Sequence, residues 1–280
     1  MIEERSEVCR IPQDAERRLR EMRGQAGGPP RLFTSDLSVN EFLMVEQAGF
    51  EPVGLVMGSS FFHTGIQWKI QPFENYELDV LTAALYHARE YAMARMEEEA
   101  HLLDADGVVG VRIEAGNHAW AESMVEFTAV GTAVRCRSED GRRYRKPDGR
   151  PFTSDLSGQD FWTLLRAGCR PLELAMGNCV YHVGARGFRQ ALSQMGQNVE
   201  MPNYTQALYN ARELAMERMQ AEAEAIHAHG MVGVRVEQGN YSWESHIMEF
   251  FAIGTAVVRD SQPAPLSAPQ LMLTLTDSPA

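Results

Sequence analysis

Hydrophobic and polar positions along the chain follow two different periods. In residues 76–103 apolar side chains recur every three or four positions, while Glu, Arg and His fill the other face, which predicts a long amphipathic helix. Residues 124–134 (MVEFTAVGTAV) alternate with a period of two, as a strand does. Apolar runs at 52–57 and 107–114 predict two more strands, one before and one after the helix. The predicted order is therefore β-α-β-β.

Turn and cap residues delimit these elements. A short helix precedes the first strand, and Ser38 or Asn40 is suited to cap it. Residues 58–60 (GSS) predict a turn or bulge where the first strand ends. Gly107 is typical of a residue that stops the long helix.

The same pattern occurs twice. FTSDLS is found at 33–38 and again, unchanged, at 152–157, and ALYHAREYAMARM at 84–96 corresponds to ALYNARELAMERM at 207–219. The offset between the copies is 119 residues before the long helix and 123 after its start, which places an insertion in 185–204. Because order and spacing are kept, the repeat indicates duplication of a whole domain.

We therefore predict an α+β protein with two tandem β-α-β-β two-layer domains and flexible termini. One helix against three strands leaves exposed edges and an under-covered face, which proteins commonly cover by association. The predicted organisation is a charged N-terminal arm and linker at 1–31, domain 1 at 32–136, a linker at 137–151, domain 2 at 152–259 and a disordered tail at 260–280.

Composition restricts the class of partner. The formal net charge of −12 argues against a general nucleic-acid-binding protein, since phosphate binding requires a concentrated basic surface. The local exception is 137–150 (RSEDGRRYRKPDGR), which we interpret as a solvated linker, with a nucleic-acid patch as the alternative. No apolar run is long enough for a membrane helix and the N-terminus lacks a signal-peptide core, so we expect a cytoplasmic protein.

Four motifs, present in both copies, together resemble the YbjQ-like family of heavy-metal-binding domains. They are a glycine-containing first strand, Ala88-Arg89-Glu90 with Ala92, the GVVGV strand at 107–111, and the GTAV ending at 131–134. The resemblance covers 33–135 and 152–258 and implies a dodecin-like fold and ring-shaped homo-oligomers, typically of five domains. Two-domain chains cannot tile a ring of five evenly. Either five chains stack two rings, repeat 1 over repeat 2, or an even-numbered mixed ring forms, and of the two we favour the stacked arrangement.

Histidine and cysteine side chains are the candidate ligands for a divalent metal ion. His63 recurs as His182, and Cys179 precedes His182 by three positions, although residues three apart on a strand point to opposite faces unless a turn intervenes. His227 and His229 form a second pair at the end of the second long helix. The alternatives are a buried thiol with a hydrogen-bonded histidine for the first group, and helix-terminal or solvent-exposed roles for the second.

Two further repeated pairs are candidates for ligand binding or subunit contact. Glu126 and Glu249 lie inside otherwise apolar strands, so each must face solvent or meet a partner, for which Arg112 and Arg235 are candidates. Trp120 and Trp243 follow GN in both copies, where they suit an interface or a ligand ring.

No nucleophile or nucleotide-binding motif is present. We therefore predict a non-enzymatic, ring-forming oligomeric binding protein for a metal ion or small ligand. The alternative is a protein-interaction scaffold that recruits partners through its termini, including the C-terminal tail. An enzyme with its site at a subunit interface is a third reading.

Overall fold

The computed structural model describes residues 11–24, 32–63, 74–117, 124–184, 201–240 and 247–260. The elements are α1 (Gln13–Met22), α2 (Val39–Gln47), β1 (Phe50–His63), β2 (Tyr76–Glu77), α3 (Asp79–Leu102), β3 (Gly107–Asn117), β4 (Met124–Cys136), a 3-10 helix (Glu139–Tyr144), β5 (Phe152–Thr153), α4 (Gly158–Arg166), β6 (Cys169–His182), α5 (Pro202–Ala225), β7 (Gly230–Asn240) and β8 (Ile247–Arg259). The predicted α+β class and the doubled β-α-β-β order are confirmed. No helix in the described ranges has both the length and the apolar character needed to span a bilayer.

Two four-stranded sheets form, and each half of the chain lends a short strand to the other. Sheet A has the order β1-β4-β3-β5 and sheet B the order β2-β6-β8-β7. β5, from the second half, runs parallel to β3 of the first. β2, from the first half, runs antiparallel to β6 of the second. The two halves therefore share both sheets.

Helix α3 lies between the two sheets. Its buried side chains pack with Val56 and Phe127 of sheet A and with Met176 and Phe251 of sheet B in one core. Helix α5 covers the opposite face of sheet B, where small residues such as Ala211 of the helix allow close packing. The layers are thus sheet A, α3, sheet B and α5.

The first strand is longer than predicted, because residues 58–60 continue it instead of forming a turn. Strand β1 passes through Gly58 to His63, and the irregularity in its pairing lies earlier, between Pro52 and Gly54. A Cβ on Gly58 would overlap the carbonyl oxygen of Ala92 in α3. Gly58 is therefore required by close approach of the helix, not by a turn.

Residues 139–150 differ from the predicted solvated linker. Tyr144 is buried, and its ring meets that of Phe50 edge-on at 5.0 Å. Lys146 Nζ lies 2.9 Å from Glu97 Oε2 and 3.0 Å from Glu173 Oε1, one carboxylate from each half of the chain. Part of the basic charge in this segment is thus used to neutralise carboxylates between the halves.

Candidate interface between the repeated domains

A buried ion pair joins helix α3 of the first domain to sheet B of the second. Arg89 Nη1 donates to Glu249 Oε1 at 2.6 Å and Nη2 donates to Oε2 at 3.0 Å. The two side chains are 5% and 4% exposed. The guanidinium carbon also lies 4.4 Å from the Phe127 ring centroid and 4.2 Å from that of Phe251, one ring from each sheet. The bidentate geometry and the two rings fix the position of α3 between the sheets.

Polar contacts around this pair attach the start of α3 to β6. Asn178 Nδ2 donates to the Thr82 carbonyl oxygen at 3.1 Å and to Glu249 Oε1 at 3.3 Å. The Val180 amide donates to Thr82 Oγ1 at 2.9 Å, and the Leu78 amide donates to the Val180 carbonyl at 2.8 Å. These hydrogen bonds satisfy the Asn178 Nδ2, Thr82 and Val180 groups across the junction, whereas the buried Asn178 Oδ1 accepts no hydrogen bond from the described residues.

Strand β2 adds a second ion pair to the junction. Arg218 of α5 donates to both carboxylate oxygens of Glu77 at 2.5 and 2.9 Å, and to the Asn178 carbonyl at 2.7 Å. Burial alone would raise the pKa of Glu77, but hydrogen bonds from Arg218 and Thr82 together with the charge of Arg218 hold it below its ordinary value. Glu77 is therefore a carboxylate at neutral pH and pairs across the two halves.

The two FTSDLS segments, residues 33–38 (the first leading segment) and 152–157 (the second leading segment), each bind the threonine of the GTAV motif in their own domain. In the second copy Ser154 Oγ lies 3.0 Å from Thr255 Oγ1, and Thr255 Oγ1 donates to Asp155 Oδ1 at 2.6 Å. In the first copy the Asp36 amide donates to Thr132 Oγ1 at 3.1 Å. Each leading segment is thus fixed to the last strand of its own domain, which accounts for the retention of both motifs.

The second leading segment also binds the preceding domain. Ser154 donates its amide to the Val108 carbonyl and accepts from the Val111 amide, both at 2.9 Å, and the Gly110 amide donates to the Leu156 carbonyl at 3.0 Å. It therefore closes the outer edge of sheet A with backbone hydrogen bonds.

The predicted metal ligands do not converge within the described part of the chain. His63 is exposed at the end of β1. His182 is buried; its Nδ1 lies 3.1 Å from the Glu74 carbonyl and its ring centroid 5.2 Å from that of Tyr76. Strand β6 continues without a turn from Cys179 to His182. The two side chains therefore point to opposite faces of the strand and cannot share one metal ion. Burial, and then the charge of Glu77, raises the pKa of the Cys179 thiol to about 12, which disfavours the thiolate that a metal would need.

The second histidine pair lies at the end of α5. His227 has a left-handed backbone with φ 57°, as does its counterpart Asp104, and His229 Nδ1 accepts from the Arg259 amide at 3.2 Å. Within the described ranges no group of three or more His, Cys, Asp or Glu side chains is arranged to hold a metal ion. The residues of one chain, as far as they are described, do not fit a metal centre, and metal binding by them stays a prediction.

The two glutamates have different surroundings. Glu249 belongs to the buried pair, whereas Glu126 is on the outer face of sheet A, where it accepts from Thr128 Oγ1 at 3.4 Å. The predicted partners were wrong: Arg112 pairs with Asp36 at 2.6 Å and Arg235 with Asp155 at 3.3 Å. Arg112 on β3 and Arg235 on β7 each lie beside the leading segment of their own domain, and this position brings them to the aspartates. Trp120 and Trp243 fall outside the described residues.

Sequence reasoning missed the partner of Glu249. A signal was available, because Arg89 lies next to Ala88 on the buried side of the helical period and Glu249 lies between apolar neighbours. A cation and an anion that both occupy buried positions must pair. Which of the candidate arginines does so depends on how helix and sheet pack.

The counterparts of this junction lie in the outer layers, sheet A and α5, and are exposed. Met57 is 51% exposed, whereas Met176, at the same repeat position, is 5% exposed. Arg212, the counterpart of Arg89, has a side chain 43% exposed and pairs with its neighbour Glu213 at 2.7 Å. Sheet B is thus covered by α3 on the face that carries Met176, whereas the equivalent face of sheet A is exposed in the described structure. Likewise, α3 is covered by sheet B on the side that carries Arg89, whereas the equivalent side of α5 is exposed.

Comparison with known proteins matches the repeat. The model of the YbjQ family, described as "Putative heavy-metal-binding", matches residues 45–137 and 172–260. An encapsulin nanocompartment protein of Mycobacterium tuberculosis is 53% identical over 229 residues, which are 82% of this chain and 87% of the relative. A UPF0145 protein of Halorubrum lacusprofundi is 40% identical over 91 residues, 31% of this chain and 86% of that protein. The two-domain length is therefore shared with the first relative, while the second corresponds to one repeat.

Proposed function

Because the chain belongs to the YbjQ family and contains its domain twice, we propose that it is a non-enzymatic, homo-oligomeric binding protein whose copies join head to tail. The observation that carries this proposal is the buried Arg89–Glu249 pair. Arg212 and Glu126 occupy the same two repeat positions in the two outer layers of the fold, α5 and sheet A. The contact that joins domain 1 to domain 2 can thus recur between domain 2 and the domain 1 of another copy.

The exposed surfaces fit this contact chemically. The outer face of sheet A presents Phe61 directly opposite Glu126 and Met57 further along the same strand, and the open side of α5 presents Tyr209 beside Arg212. Exposed apolar side chains around a charged residue are typical of an interface centre. Each surface carries the charge opposite to that of the other, as Arg89 and Glu249 do.

Such a junction is heterologous, because the helix side of one domain meets the sheet side of the next. Heterologous contacts generate a ring when the rotation closes and a filament when it does not. The two domains of this chain already meet in that way. This supports the even-numbered ring in which the two repeats alternate, rather than two stacked rings that each contain one repeat.

We place the assembly in the cytoplasm, in association with a protein nanocompartment. The support is the relative named as an encapsulin nanocompartment protein, whose similarity extends over both domains. In this second reading the oligomer is an interaction scaffold, and its terminal segments, including residues after 260, recruit the partner. Co-expression with a nanocompartment shell protein, with and without residues 261–280, tests it. Equal co-purification of the two forms with the shell protein would exclude residues 261–280 as the segment that recruits it.

Charge exchange tests the head-to-tail assembly. Native mass spectrometry of the full chain is expected to give oligomers. Arg212→Glu and Glu126→Arg are each expected to give smaller species, because like charges then meet at the junction centre. The double variant is expected to restore the oligomer, since the pair is re-formed with its polarity reversed. Arg17→Glu is the matched control, because the Arg17 side chain on α1 is exposed and pairs only with its helix neighbour Asp14 among the described ion pairs. A wild-type monomer, or a double variant that stays dissociated while its circular dichroism is unchanged, would refute the proposal.

A further inference from the structure

The edge of sheet A is closed by two residues of the second leading segment. Phe152 and Thr153 of β5 pair in parallel with Gly107 and Val108 of β3. The Phe152 ring lies directly over Gly107, where any Cβ would overlap the ring. Phe152 is fully buried and its ring stacks on that of Phe161 at 5.7 Å. Gly107 is therefore a seat for an aromatic ring from the next domain.

The corresponding edge of sheet B is open in the described structure. β7 is the last strand of that sheet. No described atom lies within 4 Å of the Cβ position of Gly230, although Gly230 occupies the same repeat position as Gly107. Val234 and Val236 of β7 are also exposed. An open edge with apolar side chains is a template for another strand.

The shape of this edge matches that of β3. The pairing of β3 with β4 shifts in register between Val109 and Arg112, and the pairing of β7 with β8 shifts between Val232 and Arg235. The glycine within each shift has a positive φ, 64° for Gly110 and 67° for Gly233. In β3 the amides around this bulge bond the leading segment, so β7 offers the same donors in the same geometry.

The first leading segment has the form of the missing strand. Phe33 stacks on Phe42 at 5.8 Å, as Phe152 stacks on Phe161, yet Phe33 is 47% exposed whereas Phe152 is fully buried. The Thr132 hydroxyl lies within hydrogen-bond distance of the Ser35 hydroxyl and accepts from the Asp36 amide. The Thr255 hydroxyl makes the same contacts with Ser154 and Asp155. The segment is thus oriented on its own domain, with its aromatic ring held outward.

We propose that residues 32–34 of one copy add as a parallel strand to the open edge of β7 in a second copy. In this register Phe33 lies opposite Gly230 with its ring over the glycine, and Thr34 lies opposite Met231. The Gly233 and Val234 amides donate to the carbonyls of Leu37 and Ser35, as the Gly110 and Val111 amides do to Leu156 and Ser154.

The occupant is a second copy of this chain because the donor carries the same six residues, FTSDLS, as the strand that fills the equivalent edge. The proposal rests on the head-to-tail assembly above and adds to it the segment that crosses the junction. It also predicts that this segment contributes backbone hydrogen bonds, whereas Arg212 and Glu126 contribute charge. The two parts of the junction can be tested separately.

Disulfide trapping tests the strand addition. Thr34→Cys and Met231→Cys are introduced together into the full chain after Cys9, Cys136, Cys169 and Cys179 are replaced by serine. Neighbouring strand positions are close enough to be bridged. Oxidation is expected to give a ladder of dimers, trimers and larger covalent species on a non-reducing gel, and a reductant is expected to abolish it. Thr34→Cys with Glu237→Cys, which is out of register, is the control and should give no ladder.

The outcomes separate the two proposals. If the variant is oligomeric by native mass spectrometry but gives no ladder, strand addition is wrong and the assembly proposal stands. A covalent product confined to single chains overturns the assignment of the second copy as partner. If the cysteine-free parent is monomeric while the unmodified chain is oligomeric, restoring Cys179 gives a second parent for the same test. A monomeric unmodified chain overturns both proposals.

Discussion

Arg89 and Glu249 are 160 positions apart in the chain, and their side chains form a bidentate ion pair at 2.6 and 3.0 Å between two aromatic rings. The pair joins the helix of one domain to the sheet of the next. Both side chains are almost completely buried, so each would be an uncompensated charge without the other. The pair therefore ties the two similar domains together in the buried layer between the sheets.

Removing one member of this pair is expected to destabilise the chain strongly. Arg89→Met leaves Glu249 buried without its main partner, and we expect the free energy of unfolding to fall by about 3–5 kcal/mol. Urea denaturation measures it. Arg112→Met, which removes the exposed pair with Asp36, is the control and should change the free energy by less than about 1 kcal/mol. Arg89→Met with Glu249→Met should recover much of the loss, and failure to do so would contradict the assignment.

Glu222 is expected to make stability fall as pH rises from about 4.5 to about 7. Burial raises the pKa of its carboxyl to about 7, opposed by a hydrogen bond from the Met176 amide. Because the folded-state pKa lies above the unfolded value of about 4.5, the folded chain binds the extra proton between these two values. The contribution is complete below about pH 4.5 and is lost by about pH 7.

The comparison of wild type with Glu222→Gln isolates this effect. The difference in free energy of unfolding between the two proteins is expected to change by up to about 3 kcal/mol between pH 5 and pH 7.5, with wild type losing stability relative to the variant. Glu224→Gln, on the exposed side of the same helix, is the control and should follow wild type. A difference that does not depend on pH would contradict the raised pKa.

Two equivalent glycines are expected to respond differently to the same substitution. Gly107→Val should destabilise the fold by about 1–3 kcal/mol, because the new side chain overlaps the Phe152 ring. Gly230→Val should leave the unfolding free energy of the separate chain nearly unchanged, because the space at its Cβ is open in the described structure. It should instead weaken the oligomer, since it blocks the seat for Phe33 of another copy. Analytical ultracentrifugation and urea denaturation measure the two effects, and an unchanged sedimentation coefficient for Gly230→Val would count against the seat.

Metal binding is expected to depend on assembly. The described residues of one chain do not bring three ligands together. A divalent ion held by His63, His182, Cys179, His227 or His229 would therefore need ligands from elsewhere, and we expect it to co-purify with the oligomer and to be lost in Arg212→Glu. Elemental analysis of protein prepared without a histidine tag measures this. Metal retained by the dissociated variant would contradict the dependence, and metal-free oligomer would contradict the metal-binding prediction itself.

Local signals predicted the elements of each domain. The 3.6 and 2.0 periodicities predicted α3 and β4, and Ser38 forms a capping box with Glu41 at the start of α2. Such signals act over a few residues, and each copy of the domain contains its own set. The resemblance of both copies to one family predicted the common fold in the same way. The duplication therefore needed no structure.

Local signals were insufficient where the environment came from distant residues. Gly58 looked like a turn residue, but the reason for it is the backbone of α3 at Ala92. Tyr144 lies in a charged segment that looked solvated, but it fills a space beside Phe50. In each case the partner is far along the chain, and spacing does not indicate which surfaces meet.

The sequence by itself determined that Met57 and Met176, or Arg212 and Arg89, are the same positions of one domain. The tertiary structure alone decided that one member of each pair is buried and the other exposed. A residue's type and period determine which face of an element it occupies. Whether that face is buried depends on the next domain. In a chain of two such domains only one junction forms within the chain, so the equivalent surfaces on sheet A and α5 stay exposed in the described structure.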